Sequence, residues 1–430
     1  MTRILTTLGN AFITILAIFM LTCLLSVNAV FAQDEIVPEE VLVKLVSPTD
    51  LASVSQRYGL VQIDQFGKRP IFRFRIANGA SVSDTVEALR NDIRIVFADP
   101  NSVLASPVAS GVSWSIGVSW SIGETANGYN TQWFGKKVHL RDAHRLATGR
   151  GIRVAVLDTG ITPNHEAFIG RLGRGYDFVD GDSDPSEVGV TGRGAFGHGT
   201  HVSGIIAKTA PNARIMPIRV LDPNGRTNAW VLTEAILYAS NPDGNVRTDD
   251  GANIINLSLG SPLRNNLLRN IIRAASNSGS NSAKADFPEL GLQRITFVAA
   301  AGNNGGRVEI YPSAVRGANG LIAVAATDIN DNIARFSNIG SWIPVAAPGE
   351  NIISSTPDGQ YGAWLGTSMS APIVSGIAAM VLERFGNLRP DIVTAHIACT
   401  AVPIRNKRVR LRVDALEAVR AAPGTFRCSK

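Results

Sequence analysis

Cysteine is nearly absent from this chain, with three in 430 residues. That is too few for a disulfide scaffold or a cysteine-rich metal module. Charged residues make up only 18% and aromatics 7%. Glycine and proline, at 41 and 21, stay near ordinary usage, which excludes collagen-like and low-complexity classes. No apolar run beyond residue 30 is long enough to span a bilayer. What is present is a hydrophobic fraction of 45%, enough to bury a sizeable core and exclude wholesale disorder. The length points to two or three domains. The net charge is +6, and residues 403–430 carry eight basic against two acidic side chains, so the excess sits in the tail. A nucleic-acid partner therefore has no broad basic footprint to bind. The run Arg405, Lys407, Arg408, Arg410, Arg412 reads as a solvated surface strand.

At the N-terminus, Arg3 precedes an apolar stretch over 11–30. Ala29-Val30-Phe31-Ala32 and the polar Gln33-Asp34-Glu35 follow. A charged start, an apolar middle and a small-residue cleavage site describe an export signal, residues 1–32. The stretch also approaches spanning length, which keeps a membrane-anchored form open. The expected location is secreted or periplasmic. There Cys399 and Cys428 can pair and pin the C-terminal tail, or stay as two free thiols.

Residues 36–100 read as a small α/β unit. Strands are expected at 41–46, 61–65, 71–76 and 93–97, with helical spacing over 48–58 and 81–90, the latter capped by Ser81. The order β-α-β-β-α-β is the ferredoxin-like pattern. We bound this unit at 33–105. Residues 106–130 form a linker containing a tandem repeat, Gly111-Val-Ser-Trp-Ser-Ile116 and Gly117-Val-Ser-Trp-Ser-Ile122. From 131 to 422 the texture changes. Short, nearly continuous apolar runs at 152–157, 215–220, 254–259, 295–301 and 321–326 alternate with helical stretches such as 229–239 and 267–276. This is the rhythm of buried parallel strands with crossover helices, an α/β domain with helices on both faces of a mostly parallel sheet. Residues 423–430 are a tail. Such sheets carry their chemistry at the carboxyl ends of the strands.

Four polar residues stand at such places. Asp158 ends the strand Arg153-Val-Ala-Val-Leu157. His198 lies in Gly197-His-Gly-Thr-His-Val-Ser-Gly204 at a helix start. Asn303 follows Phe297-Val-Ala-Ala-Ala301. Ser368 opens a helix in Gly366-Thr-Ser-Met-Ser-Ala-Pro372, with Pro372 expected in its first turn. A serine hydroxyl needs a base within hydrogen-bond reach, and that base needs an orienting carboxylate. The oxyanion needs fixed donors, which a helix N-terminus and an Asn amide can supply. Each piece alone has another reading. Asp-Thr-Gly is also an aspartic-protease signature, but that chemistry needs two such carboxylates. His198 and His201 have metal-ligand spacing, although His201 equally suits helix packing. Ser368, Asp391 and His396 follow an α/β-hydrolase order but lack the second glycine of the nucleophile elbow.

Together, the order Asp158, His198, Asn303, Ser368 resembles the subtilisin-like serine peptidases. The resemblance covers about 131–422 and includes Asn256-Leu-Ser-Leu-Gly260, Ala300-Ala-Gly-Asn303 and Ala347-Pro-Gly349. It implies that Asp158 orients His198, that His198 is the general base and then acid, and that Ser368 attacks. Asn303 and the Ser368 N–H would stabilise the oxyanion. Ser258, Leu259 and Gly260 would pair with the substrate backbone and share a pocket with Ala300, Ala301 and Gly302, where small residues suit an apolar side chain. The resemblance names residues 33–105 as a propeptide that acts as an intramolecular inhibitor. No cofactor is expected for catalysis. Ala167 replaces the Asp of the family's tight calcium site. Asp177, Asp180 and Asp182 offer another set of oxygen ligands for structural calcium, or else a solvated acidic loop. The expectation is a monomeric, exported serine endopeptidase acting on polypeptides and maturing itself. A catalytically silent binding or scaffold protein of the same fold is the alternative.

Overall fold

The computed structural model describes residues 35–107, 121–276, 286–290, 294–386, 388–406 and 408–424. The expected export signal, most of the tandem repeat and Cys428 lie outside these residues. Cys399 is disulfide-bonded.

The N-terminal unit comprises β1 (Ile36–Leu45), α1 (Leu51–Tyr58), β2 (Leu60–Gln65), β3 (Ile71–Ile76), α2 (Val82–Arg90) and β4 (Ile95–Ala105). Its strands lie in the order β2-β3-β1-β4, all neighbours antiparallel, as the ferredoxin-like pattern requires. Ser81 caps α2 by accepting from the Asp84 N–H at 3.0 Å. Val41, Val43, Val54, Phe72, Phe74, Val86 and Leu89 close one core beneath the helices. The opposite sheet face carries Leu42, Phe66, Ile71 and Phe97, and these belong to a core shared with the large domain. Phe66 meets Trp230 edge-on at 5.4 Å.

The large domain is built on nine strands: β5 (Arg153–Asp158), β6 (Tyr176–Asp177), β7 (Arg214–Arg219), β9 (Ile254–Leu257), β10 (Thr296–Ala300), β11 (Leu321–Thr327), β12 (Val345–Pro348), β15 (Val402–Pro403) and β16 (Leu411–Arg412). The sheet order is β15-β16-β12-β11-β10-β9-β5-β7-β6, and only β15–β16 is antiparallel. Successive side chains of a strand point to opposite faces. Accordingly Val154, Val156 and Val298 face one layer, which contains α3 (His198–Thr209) and α6 (Thr367–Phe385). Ala155, Leu157 and Phe297 face the other, with α4 (Ala229–Ser240) and α5 (Asn266–Ser276). This is the three-layer α/β architecture expected from the apolar runs. The strand β8 (Arg226–Asn228) leaves this domain to pair with β4, joining the two units edge to edge. A separate hairpin, β13 (Ile352–Thr356) with β14 (Gln360–Trp364), lies beside α3.

Two expectations need correction. Strand β4 runs eight residues past Phe97, to Ala105, because its end is held by β8 rather than by an apolar pattern of its own. Arg412 is not solvated. It is buried, donates to the carbonyls of Lys137 and Val413, and pairs with Asp331 at 2.8 Å. Arg405, Arg408 and Arg410 are exposed as expected.

Candidate active site

Four chain segments arrive at the carboxyl edge of the sheet. Asp158 is the last residue of β5, His198 the first of α3, and Ser368 the second of α6, while Asn303 stands three residues beyond β10. Asp158, His198 and Ser368 are wholly buried. Asp158 Oδ1 lies 2.7 Å from His198 Nδ1 and accepts the Thr159 N–H at 2.8 Å. A carboxylate cannot donate, so the ring proton sits on Nδ1 and the Nε2 lone pair is left facing the cleft. His198 Nε2 has no hydrogen-bond partner.

Asn303 is oriented in the same manner. Its Oδ1 accepts from the Thr367 N–H at 3.0 Å and from Thr367 Oγ1 at 2.8 Å, which fixes the amide and leaves Nδ2 buried and unpartnered. Thr367 Oγ1 in turn accepts the Gly302 N–H at 3.1 Å. The Ser368 N–H belongs to the first turn of α6, where no intrahelical carbonyl exists to receive it. Two donors therefore converge beside the hydroxyl.

Beneath Ser368 the helix is modified. Pro372 is the sixth residue of α6, not in its first turn as expected. A proline there withholds the N–H that would bond the carbonyl four residues earlier, that of Ser368. Ser258 Oγ fills the place, donating to the Ser368 carbonyl at 3.0 Å. Asn256 Nδ2 bonds Ser258 Oγ, and Ser375 Oγ bonds Asn256 Oδ1, so the Ser368 backbone is held from below.

A pocket beside Ser368 is lined by Ser258, Leu259, Gly260, Ala300, Gly302, Asn303, Ile310 and Thr367. A Cβ at Gly260 would come within 2.3 Å of Ile310, and one at Gly302 within 2.6 Å of Ile310 and Asn338, so both positions must stay bare. Gly302 also has φ +102. Ala105 and Pro107 line the same pocket. The end of β4 lies between two edges. Val103, Leu104 and Ala105 pair antiparallel with Asn228, Thr227 and Arg226, while Ala105 pairs on its other side with Gly260.

Residues 149–419 match the model of the subtilase family. The chain belongs to that family. It is similar to a thermophilic serine proteinase of Bacillus sp. (strain AK1), 33% identical over 326 residues that cover 73% of this chain and 70% of that protein. It is similar also to thermitase of Thermoactinomyces vulgaris, 37% identical over 263 residues, 59% of this chain and 82% of that one. Among solved structures, fervidolysin from Fervidobacterium pennivorans, a keratinolytic enzyme related to subtilisin, shares the fold with a TM-score of 0.69 over 91% of this chain at 22% identity; this chain spans 62% of that one. A protease of Pseudoalteromonas arctica PAMC 21717 matches with a TM-score of 0.58 at 29% identity, over 68% of this chain and 97% of that one. The chain is a subtilisin-like serine endopeptidase, and subtilases need no cofactor for catalysis.

In this subtilase the remaining sequence-expected residues fall in different places. Ala301 does not line the pocket; strand alternation turns it into a separate core with Ala323, Ala325 and Ile343. Ile310, missed in the sequence, supplies the apolar wall instead. His201 is no metal ligand. Its Nε2 bonds the Gly362 carbonyl at 3.1 Å, its ring stacks on Trp364 at 4.6 Å, and burial lowers its pKa to about 3. His396 bonds the Ala418 carbonyl and Asp391 pairs with Arg389, so this pair does not serve Ser368.

The acidic loop does not fit a calcium ion. Asp177 and Asp180 both receive Arg219 Nη1 at 2.5 Å, so the positive charge between them is already a guanidinium. The other oxygens close local turns: Asp177 Oδ1 accepts the N–H of Val179 and Asp180, and Asp182 Oδ1 that of Asp184. Among the described residues no group of three acidic, His or Cys side chains is placed to hold a metal.

Glu187 carried no signal in the sequence, because its loop has no periodicity. Its buried carboxylate accepts the N–H groups of Gly197 and Thr200 at 3.0 Å, at the start of the His198 helix. It also accepts Thr159 Oγ1 at 3.0 Å, next to Asp158. It thus ties the His198 helix to the Asp158 strand. Burial raises its pKa, against the pull of these hydrogen bonds.

Proposed function

We propose that this subtilase is an exported endopeptidase that cuts extended polypeptides through an acyl-enzyme and prefers apolar residues before the scissile bond. In this reading His198 Nε2 takes the Ser368 proton as Oγ attacks, Asp158 holds the imidazolium, and Asn303 Nδ2 with the Ser368 N–H receives the oxyanion. The N-terminal unit, residues 33–105, is a propeptide that blocks the cleft of a monomeric precursor, and the enzyme removes it by cutting within 106–130. One observation carries this reading: an extended polypeptide, Val103–Ala105, lies as a strand between Arg226–Asn228 and Gly260 and ends in the pocket of Ser368. Main-chain pairing of this kind recognises a peptide regardless of its sequence. The presence of all three triad members speaks against a silent binding protein.

A fluorophosphonate probe tests the chemistry. Labelling should fall on Ser368 and vanish in Ser368→Ala and His198→Ala. Mass spectrometry of secreted Ser368→Ala tests maturation. A chain starting near Gln33 supports self-processing, and one starting within 106–130 assigns the cut to another peptidase.

A further inference from the structure

The register of the cleft gives a role to a residue outside the triad. Ala105 and Gly260 exchange both backbone hydrogen bonds, each 2.9 Å long. In an antiparallel ladder such doubly bonded pairs recur at every second residue. Two steps forward on one chain and two back on the other set Pro107 opposite Ser258. A residue at that place would donate its N–H to the Ser258 carbonyl. Proline has no N–H. The ladder ends at Ala105, and the Ser258 carbonyl accepts Ser368 Oγ at 3.2 Å instead. The nucleophile's proton is thus committed to a backbone oxygen, while the buried His198 Nε2 has no partner.

The residues before Pro107 are seated as a well-bound chain. Leu104 and Ala105 are buried, and the Ser106 N–H donates to the Gly225 carbonyl at 2.9 Å. The chain is held by main-chain hydrogen bonds up to Ser106, and the next residue brings no N–H to the Ser258 carbonyl. Interactions that hold the bound state without assisting the transition state slow the reaction rather than promote it.

We propose that Pro107 is a brake on self-cleavage: by withholding the N–H that would fill the Ser258 carbonyl, it keeps Ser368 turned away from His198 and makes the bond after Pro107 resistant to attack. The proposal rests on the reading of residues 33–105 as an intramolecular inhibitor. With any other residue at 107, its N–H competes for the Ser258 carbonyl, weakens the long Ser368 Oγ bond to it and favours the rotamer in which Oγ meets His198 Nε2. Attack on the carbonyl of residue 107 then transfers the Oγ proton to His198. The C–N bond to residue 108 breaks, that proton passes to the leaving amine, and water hydrolyses the acyl-enzyme. The brake predicts that the native precursor is cut elsewhere in 106–130, beyond this bond.

The test follows processing of the full-length precursor by N-terminal mass spectrometry over time. Pro107→Ala and Pro107→Gly should mature about 10- to 100-fold faster, the range expected for one restored hydrogen bond at a buried acceptor, and should start at Val108. The double variant Pro107→Ala/Ser368→Ala should stay intact. Native maturation at Val108, or unchanged rate and start site in both Pro107 variants, overturns the brake. Cutting of the double variant would strike the self-processing reading instead. The brake is then decided in trans with the mature enzyme and two chromogenic peptides, Leu-Ala-Ser-Ala- and Leu-Ala-Ser-Pro-p-nitroanilide. A kcat/KM deficit of about ten-fold or more for the proline peptide supports it, and equal values overturn it.

Discussion

Three neighbouring strands of the large sheet end on charged residues in register: Asp177 on β6, Arg219 on β7 and Asp158 on β5. The row is buried throughout, yet its two ends differ. At one end Arg219 joins Asp177 and Asp180, and the remaining oxygens of Asp177 take backbone N–H groups. The guanidinium offsets one of the two carboxylates, both oxygens of Asp177 are taken, and one buried donor, Arg219 Nε, is left without a partner. At the other end Asp158 takes His198, and the chain beyond that bond is left open, with Asp158 Oδ2, His198 Nε2 and Asn303 Nδ2 all buried without a partner. Buried polar atoms are ordinarily satisfied, so a concentration of unpaired ones marks where a reacting molecule completes the network. The Arg219 cluster ties the sheet edge together with one unpaired atom, whereas the Asp158 end gathers three, the arrangement that the proposed chemistry would use.

This contrast can be broken most severely at Asp158. Asp158→Asn should keep the fold but lower kcat by about ten-thousand-fold, because an amide favours the wrong His198 tautomer. A melting curve and single-turnover kinetics on one sample separate the two effects, and a native kcat would remove Asp158 from the mechanism. Arg219→Leu should do the reverse. It strands the buried Asp177 charge and costs about 3–5 kcal/mol of stability, with kcat of the folded fraction unchanged. Urea denaturation measures the loss. Asp180→Asn, at a half-exposed position, should cost far less. Asn303→Ala should lower kcat by about 100- to 1000-fold with little change in KM, the range set by loss of such a donor in subtilisin. A pure KM effect would contradict the oxyanion role.

Glu187→Gln tests whether the two ends are coupled through the helix that carries His198. It places an amide among N–H donors and should cost about 1–3 kcal/mol. A kcat that falls alongside stability, with Glu187→Asp restoring part of it, identifies a positioning role. The smallest effect lies on the face of the large domain against which the N-terminal unit packs. There Glu234 is raised from 4.5 to about 7 by burial and by Asp64, against the pull of Arg73. Such an acid stabilises the folded precursor fully below its unfolded pKa, and that contribution is lost as pH rises through 7. The precursor's melting temperature should therefore decline slightly between pH 5 and 8, and Glu234→Gln should flatten that decline.

The strands β5, β7, β9, β10 and β11 were legible because buried parallel strands are apolar on both faces and differ from their surroundings by composition alone. The expected bounds match to within two residues. Asp158 and Asn303 stood out because an apolar run stops at or just before them, and His198 and Ser368 because each opens a helix; the structure places all four at those ends. What escaped reading was whatever depends on a distant partner. The first five residues of β1, which contain Pro38 and Glu39 at φ 59, have no strand character and are ordered by pairing with β4. Residues 98–105 carry no strand pattern of their own and extend β4 only because β8 and Gly260 flank them. The acidic loop could not be told from a cation site, because Arg219 lies 39 residues from Asp180.

The slot that receives Ala105 has a further consequence. Its walls, Arg226–Asn228 on one side and Gly260 on the other, offer main-chain hydrogen bonds to any extended strand. If the N-terminal unit is removed as proposed, these two edges stand unpaired, and an exposed edge accepts whatever chain reaches it. A second molecule of the enzyme, frayed at a loop, is such a chain. On the propeptide reading, stored mature enzyme should then lose activity by mutual digestion, with a half-life that shortens as the enzyme is concentrated, and a slot still filled by the N-terminal unit should slow that loss.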